Sequence, residues 1–286
     1  MKKLSLLLLV ASVALFSCKD KGTDDPNGGD AAPTSYTQKV LIEYFSGAWC
    51  QFCPDGKVYS DNIEAKYGAG VSTVVYHLGD AMDNIFDDAI DDKYAAGYPT
   101  GMINRIGGVA ANRGTWDAST AAVMAEVAKC GLSIDASDKN GTNLTVKVNL
   151  GIGANDMPEG NYFLTVLVVE DEMSGTGTGW DQANYYNGVS GHPYYGKGSP
   201  IVGYKHTNVV RNVLTAALGD KLTAGQVAAG TLSEFEFTTN LGGLGDDLDI
   251  VAFISEATNN LQNPALSSSY IYNVQRVDVG TTQAFD

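Results

Sequence analysis

The stretch Val40-Leu41-Ile42-Glu43-Tyr44-Phe45-Ser46-Gly47-Ala48-Trp49-Cys50-Gln51-Phe52-Cys53-Pro54 decides how the chain is read. Its opening run is apolar but for Glu43, the pattern of a strand covered on both faces. Ser46-Gly47-Ala48 leads directly into Trp49-Cys50, so the cysteine pair falls where that strand ends. After Pro54 the spacing of Val58, Ile63 and Tyr67 predicts a helix that stops near Gly68. Pro54 sits early in it, where a missing N–H is tolerated. Cys50 is thereby expected at a helix N-terminus, where the helix dipole and unpaired N–H groups favour a thiolate. Cys50 is then the attacking thiol and Cys53 the resolving one.

Working outward, Val71 to His77 reads as a second, β-branched strand and Ile85 to Ala96 as a helix. Gly97-Tyr98-Pro99-Thr100 reads as a turn, Met102 to Ile106 as a third strand, and Trp116 to Lys129 as an Ala-rich closing helix. This order, with Trp49-Cys50-Gln51-Phe52-Cys53-Pro54 and Tyr98-Pro99-Thr100 in family-like positions, resembles the thioredoxin fold, and more closely its exported, membrane-tethered reductase-like branch. The resemblance covers about residues 36–131. It implies a cis Pro99 beside the cysteines, which removes an N–H, keeps metal from the thiols and exposes the Tyr98 backbone to a substrate strand, an ordinary trans proline in the turn being the alternative. It also draws attention to Glu43 as a candidate proton relay. Glu43 lies one residue further from the first cysteine than the family's acid, and a single step reverses side-chain direction in a strand. An edge or salt-bridged carboxylate is therefore the alternative.

Other groups carry less chemistry. Cys130 reads as a small buried apolar residue at a helix end. No metal or other cofactor is expected: the CxxC has no second Cys or His pair at ligand spacing, and His77, His192 and His206 are scattered. The acids Asp80, Asp83, Asp87, Asp88, Asp91 and Asp92 lack the alternation of a calcium loop and read as a solvated helix face.

The N-terminus sets the compartment. Met-Lys-Lys, the apolar run Leu4 to Phe16 and Ser17-Cys18 form a secretory signal with a lipobox, which makes Cys18 the expected lipidation site after cleavage of residues 1–17. An ordinary cleaved signal is the alternative. Residues 18–35 are Asp-, Gly- and Pro-rich and read as a flexible tether. The formal charge is −15. It becomes two units more negative once Lys2 and Lys3 leave, which disfavours nucleic acid as a partner. The membrane is reached through the lipid at Cys18.

The rest, residues 132–286, alternates strand runs with turn residues, as in Leu144 to Val148, Tyr162 to Val169, Phe235 to Phe237, Ile250 to Ile254 and Tyr270 to Val279. This predicts an antiparallel, Ig-like β-sandwich after the α/β thioredoxin-like domain. The segment from Gly175 to His206 is long and holds Trp180, Tyr185, Tyr186, His192, Tyr194 and Tyr195. It reads either as a recognition loop or as a loop folded over the sandwich to bury its own rings. His206-Thr207-Asn208-Val209-Val210-Arg211 reads as a structural joint.

Lipobox, acidic tether, Trp-Cys-x-x-Cys-Pro domain and a β-region with His-x-x-Val-Val-Arg together resemble the outer membrane protein 28 family of Bacteroidetes lipoproteins. The resemblance implies an outer-membrane location, and the acids among Lys19-Asp20 and Asp24-Asp25 resemble that group's surface-export signal. Two functions are then expected. One is thiol–disulfide exchange through Cys50 and Cys53 on protein disulfide substrates. The other is surface binding or adhesion toward a ligand, with the CxxC as a structural disulfide.

Overall fold

The computed structural model describes residues 33–108, 110–155, 157–257 and 269–286, so the signal, Cys18 and the tether to residue 32 lie outside the described residues. From Val40 the chain builds β1 (Val40–Ser46), α1 (Cys53–Tyr67), β2 (Val71–His77), α2 (Ile85–Tyr94), β3 (Thr100–Ile103) and α3 (Trp116–Met124). β2 lies parallel to β1, and β3 runs antiparallel along its other edge. The elements expected over this stretch are therefore present in the expected order. α1 stops at Gly68, whose φ of 56° is a left-handed conformation that suits glycine.

α3 ends at Met124, short of Lys129, and Cys130 opens a strand rather than closing a helix. β4 spans Cys130–Asn140, followed by β5 (Asn143–Ile152), β6 (Asn161–Glu170), β7 (Val209–Val213) and β8 (Asp220–Lys221). The remaining strands are β9 (Leu232–Asn240), β10 (Leu248–Ala257), β11 (Ser269–Asp278) and β12 (Thr282–Gln283).

These strands do not build a self-contained Ig-like sandwich over 132–286. Only β12, β4, β5 and β9 form their own four-stranded sheet. β6, β7, β10 and β11 extend the first sheet, in the order β11-β10-β6-β7-β2-β1-β3, with β8 paired to β6. The seam is the parallel contact of β7 with β2 at Val75 and Val209, where Val75 N–H donates to the Asn208 carbonyl at 2.7 Å. One sheet thus runs across the position where a domain boundary was expected.

The reason lies in β6 and β10. Leu164 to Val169, but for Thr165, and Ile250 to Ile254 are apolar without alternation, and such strands need cover on both faces. Leu164, Val166, Val168, Ile250, Ala252 and Ile254 point into a core shared with β4 and β5. Leu167, Val169, Val251 and Phe253 point the other way, into a core shared with Leu41, Phe45, Val74 and Tyr76 and with Ile90 and Tyr94 of α2. On the first face, next to the four-stranded sheet, α1 and α3 pack Ile63, Trp116 and Val123 against Val40, Ile42 and Tyr44. The result is a mixed α/β protein dominated by two sheets, and the cysteine pair stands on the α1 face.

Candidate redox site and its cap

Cys50 and Cys53 form a disulfide at the entry to α1. Cys53 is the first helical residue and Cys50 sits in the turn before it, with Cys50 N–H bonded to the Gly47 carbonyl at 2.9 Å and Cys53 N–H to the Cys50 carbonyl at 3.2 Å. Tyr44 steadies this turn from below. Its hydroxyl donates to the Cys53 carbonyl at 2.7 Å, and Gly56 has no side chain to block the ring, since a Cβ there would stand 2.6 Å from that hydroxyl. The Tyr98–Pro99 peptide is cis, and Tyr98 packs edge-on against Trp49 at 5.1 Å between centroids.

Glu43 does not belong to this site. Tyr44 shares a core with Cys50 and Cys53, whereas Leu41 and Phe45 face the opposite core, so alternation carries Glu43 away from the cysteines. There it accepts two hydrogen bonds from Arg105, both of 2.7 Å, and one from Tyr76 at 3.2 Å. The proton-relay reading of Glu43 is thus corrected to a buried, salt-bridged carboxylate.

The Gly- and Tyr-rich segment folds down on the cysteine turn rather than over the second sheet. Ala183 N–H donates to the Ala48 carbonyl at 2.7 Å, Tyr185 N–H to the Gln51 carbonyl at 2.8 Å, and the Gln182 amide to the Cys50 carbonyl at 2.9 Å. Phe52 packs on Tyr185 at 4.8 Å. Asp55 in the first turn of α1 pairs with Arg113 and, at 3.1 Å, with His192, which stacks on Tyr186 at 3.9 Å. This cap leaves Cys50 only 4% and Cys53 only 2% exposed, while Trp49, Tyr185 and Tyr195 keep about half their surface. The segment therefore covers the cysteine turn, not a sandwich, and leaves the rings of Tyr185 and Tyr195 exposed.

Beside Cys53 the cap closes a cavity of about 20 Å³ lined by Tyr44, Ser46, Lys57, His77, Tyr204 and His206. His77, at the end of β2, and His206, at the end of the cap, meet edge to face at 5.1 Å. These two histidines, scattered in the sequence, are neighbours in the fold. His77 Nδ1 lies 2.6 Å from Asp80 Oδ2, and Asp80 also accepts N–H bonds from Ala48 at 2.7 Å and Met82 at 2.8 Å. Burial works to raise the Asp80 pKa, but these bonds and the neighbouring imidazole outweigh it and hold the carboxyl below its ordinary value. Asp80 is therefore not part of a solvated acidic face. His206 Nε2 donates to the Trp180 carbonyl at 2.8 Å, and burial together with His77 lowers its pKa to about 4. Cys130 is remote in β4, fully buried, its thiol pushed up to about 12 by that burial.

Fold and site define a two-sheet α/β protein whose CxxC disulfide is covered by a segment of its own chain. Residues 87–283 match the family of outer membrane protein Omp28, and the chain belongs to that family. The matched region begins after the cysteine pair and includes the cap. Among solved structures, HBP35 of Porphyromonas gingivalis is similar, with 21% identity, a TM-score of 0.65, and coverage of 86% of this chain and 77% of that one. A second similar structure, from Agrobacterium tumefaciens, has 12% identity and a TM-score of 0.49, covering 91% of this chain and 99% of that one. No curated protein sequence matches. Among the described residues no helix is long and apolar enough to cross a membrane.

Proposed function

We propose that the protein is a lipid-anchored outer-membrane protein that exchanges disulfides through Cys50 and Cys53. The anchor is Cys18, read from the lipobox, and the family name agrees with the membrane assigned. The observation that carries the exchange reading is the disulfide at the entry to α1, with Tyr98 of the cis Tyr98–Pro99 bond packed on Trp49 and a cavity lined by ionisable side chains against Cys53. In this thioredoxin-like arrangement a reduced Cys50 attacks a substrate disulfide and Cys53 resolves the mixed disulfide. Access to Cys50 requires the cap to lift at its 182–185 hydrogen bonds.

One observation favours the second reading, a surface binding protein with a structural disulfide: both sulfurs are covered by the cap. Turnover separates the two. Wild-type protein supplied with dithiothreitol is expected to accelerate reduction of insulin disulfides, and Cys53→Ser to trap a mixed disulfide that Cys50→Ser does not form. No acceleration and no trapped adduct would leave the binding reading in its place.

A further inference from the structure

We propose that the imidazole of His77, oriented by Asp80, accepts the proton of the Cys53 thiol across the cavity between them when Cys53 resolves a mixed disulfide. This inference rests on the exchange reading and assigns the step that reading leaves without a base. Glu43 cannot serve, being on the far face of β1 and closed by Arg105. The cavity that holds Cys53 also holds His77, and the Asp80 contact at 2.6 Å fixes the ring.

A carboxylate behind an imidazole holds its orientation and stabilises the imidazolium formed when it takes a proton. Asp80 is fixed in turn by the N–H groups of Ala48 and Met82, so it has its own bonds in either state of the histidine.

The groups facing the cavity from other elements leave this role to His77. Tyr44 of β1 is pushed above the ordinary tyrosine range by burial, and so is Tyr204 of the cap. Both remain neutral across the physiological range. His206, at about 4, is neutral there too, and Lys57 of α1 forms an ion pair with Asp61 at 2.7 Å.

The Cys50 thiolate attacks a substrate disulfide, forming the Cys50–substrate bond and releasing one substrate thiolate. Cys53 gives its proton to His77, and its sulfur attacks Cys50. The Cys50–Cys53 disulfide forms, the substrate bond breaks, and the departing sulfur takes the proton back. The protein dithiol is oxidised and the substrate disulfide is reduced to one thiol and one thiolate, which takes up from solvent the proton Cys50 had released.

The test uses the reduced full chain in detergent, oxidised glutathione as probe, and quenched mass analysis of the mixed disulfide. In His77→Gln the adduct is expected to form at the wild-type rate but to persist about 100-fold longer at pH 7, within the range for loss of a general base. The gap should narrow as pH rises and hydroxide replaces the imidazole. Asp80→Asn should fall between the two. An adduct that forms normally and resolves at the wild-type rate from pH 6 to 9 would overturn the assignment while leaving exchange intact. A wild type that forms no adduct would remove both. Because His77→Gln can lose its fold, Asp80→Asn gives a second measure: an Asp80→Asn adduct that resolves at the wild-type rate would contradict the proposal.

Discussion

Glu43 and Tyr44 adjoin in β1 and begin two polar clusters on opposite faces of one sheet. Glu43 is finished by Arg105 and Tyr76, and the guanidinium is itself sandwiched near the rings of Tyr94 and Phe253, at 4.9 and 5.2 Å. Every strong group there answers another. Tyr44 instead holds the cysteine turn and faces a cavity shared with Cys53, Lys57, His77 and His206, closed by a segment from far along the chain. The first cluster is built to stay as it is. The second joins a disulfide, ionisable groups and a cover held by a handful of hydrogen bonds, the composition expected where structure must open.

Breaking the closed cluster has the largest expected effect. Arg105→Ala strands Glu43 in a dry core and should cost about 3–5 kcal/mol in urea unfolding. The Cys50–Cys53 reduction potential should stay unchanged, because the two lie on opposite faces. A shift in potential would mean that the faces are coupled.

The cavity side responds to pH. The His206 pKa falls from 6.5 in the free side chain to about 4 in the fold. Between those values the unfolded chain binds a proton that the folded chain does not, so this contribution is complete above pH 6.5 and is lost as pH falls toward 4. From pH 7 to 5 the wild type should lose about 2 kcal/mol more stability than His206→Asn. Parallel pH curves for the two would remove His206 from the account.

The cap shows the smallest effect. Gln182→Ala removes the amide that bonds the Gly47, Ala48 and Cys50 carbonyls. At about 1 kcal/mol net, reduction of the disulfide by a phosphine should quicken about fivefold. An unchanged rate would show that reagent reaches the sulfurs by another route.

Much of the CxxC region was legible before the structure because its signals are local. The Val40–Phe45 run, Pro54, Gly68 and Val71–His77 each act within a few residues. The cap was legible as a long aromatic segment, but its landing place was not, because Gln182 and Cys50 meet across 132 positions. β7 was hidden for a similar reason: five residues carry little periodicity, and only β2 and β6 on either side give them a place. The apolar, non-alternating runs of β6 and β10, interrupted only by Thr165, were the available clue that a separate sandwich would not do. Glu43 shows the reach of a single-residue offset, which moved it from the cysteine face to the ion-pair face.

A Cys50–Cys53 disulfide that is exchanged, as proposed, differs from a structural one in its reduction potential. Equilibrating the protein with glutathione or dithiothreitol buffers and trapping free thiols is expected to give a value between about −270 and −120 mV, where redox-active pairs lie. A value well below about −300 mV would mark a structural disulfide under a permanent cover and contradict the account.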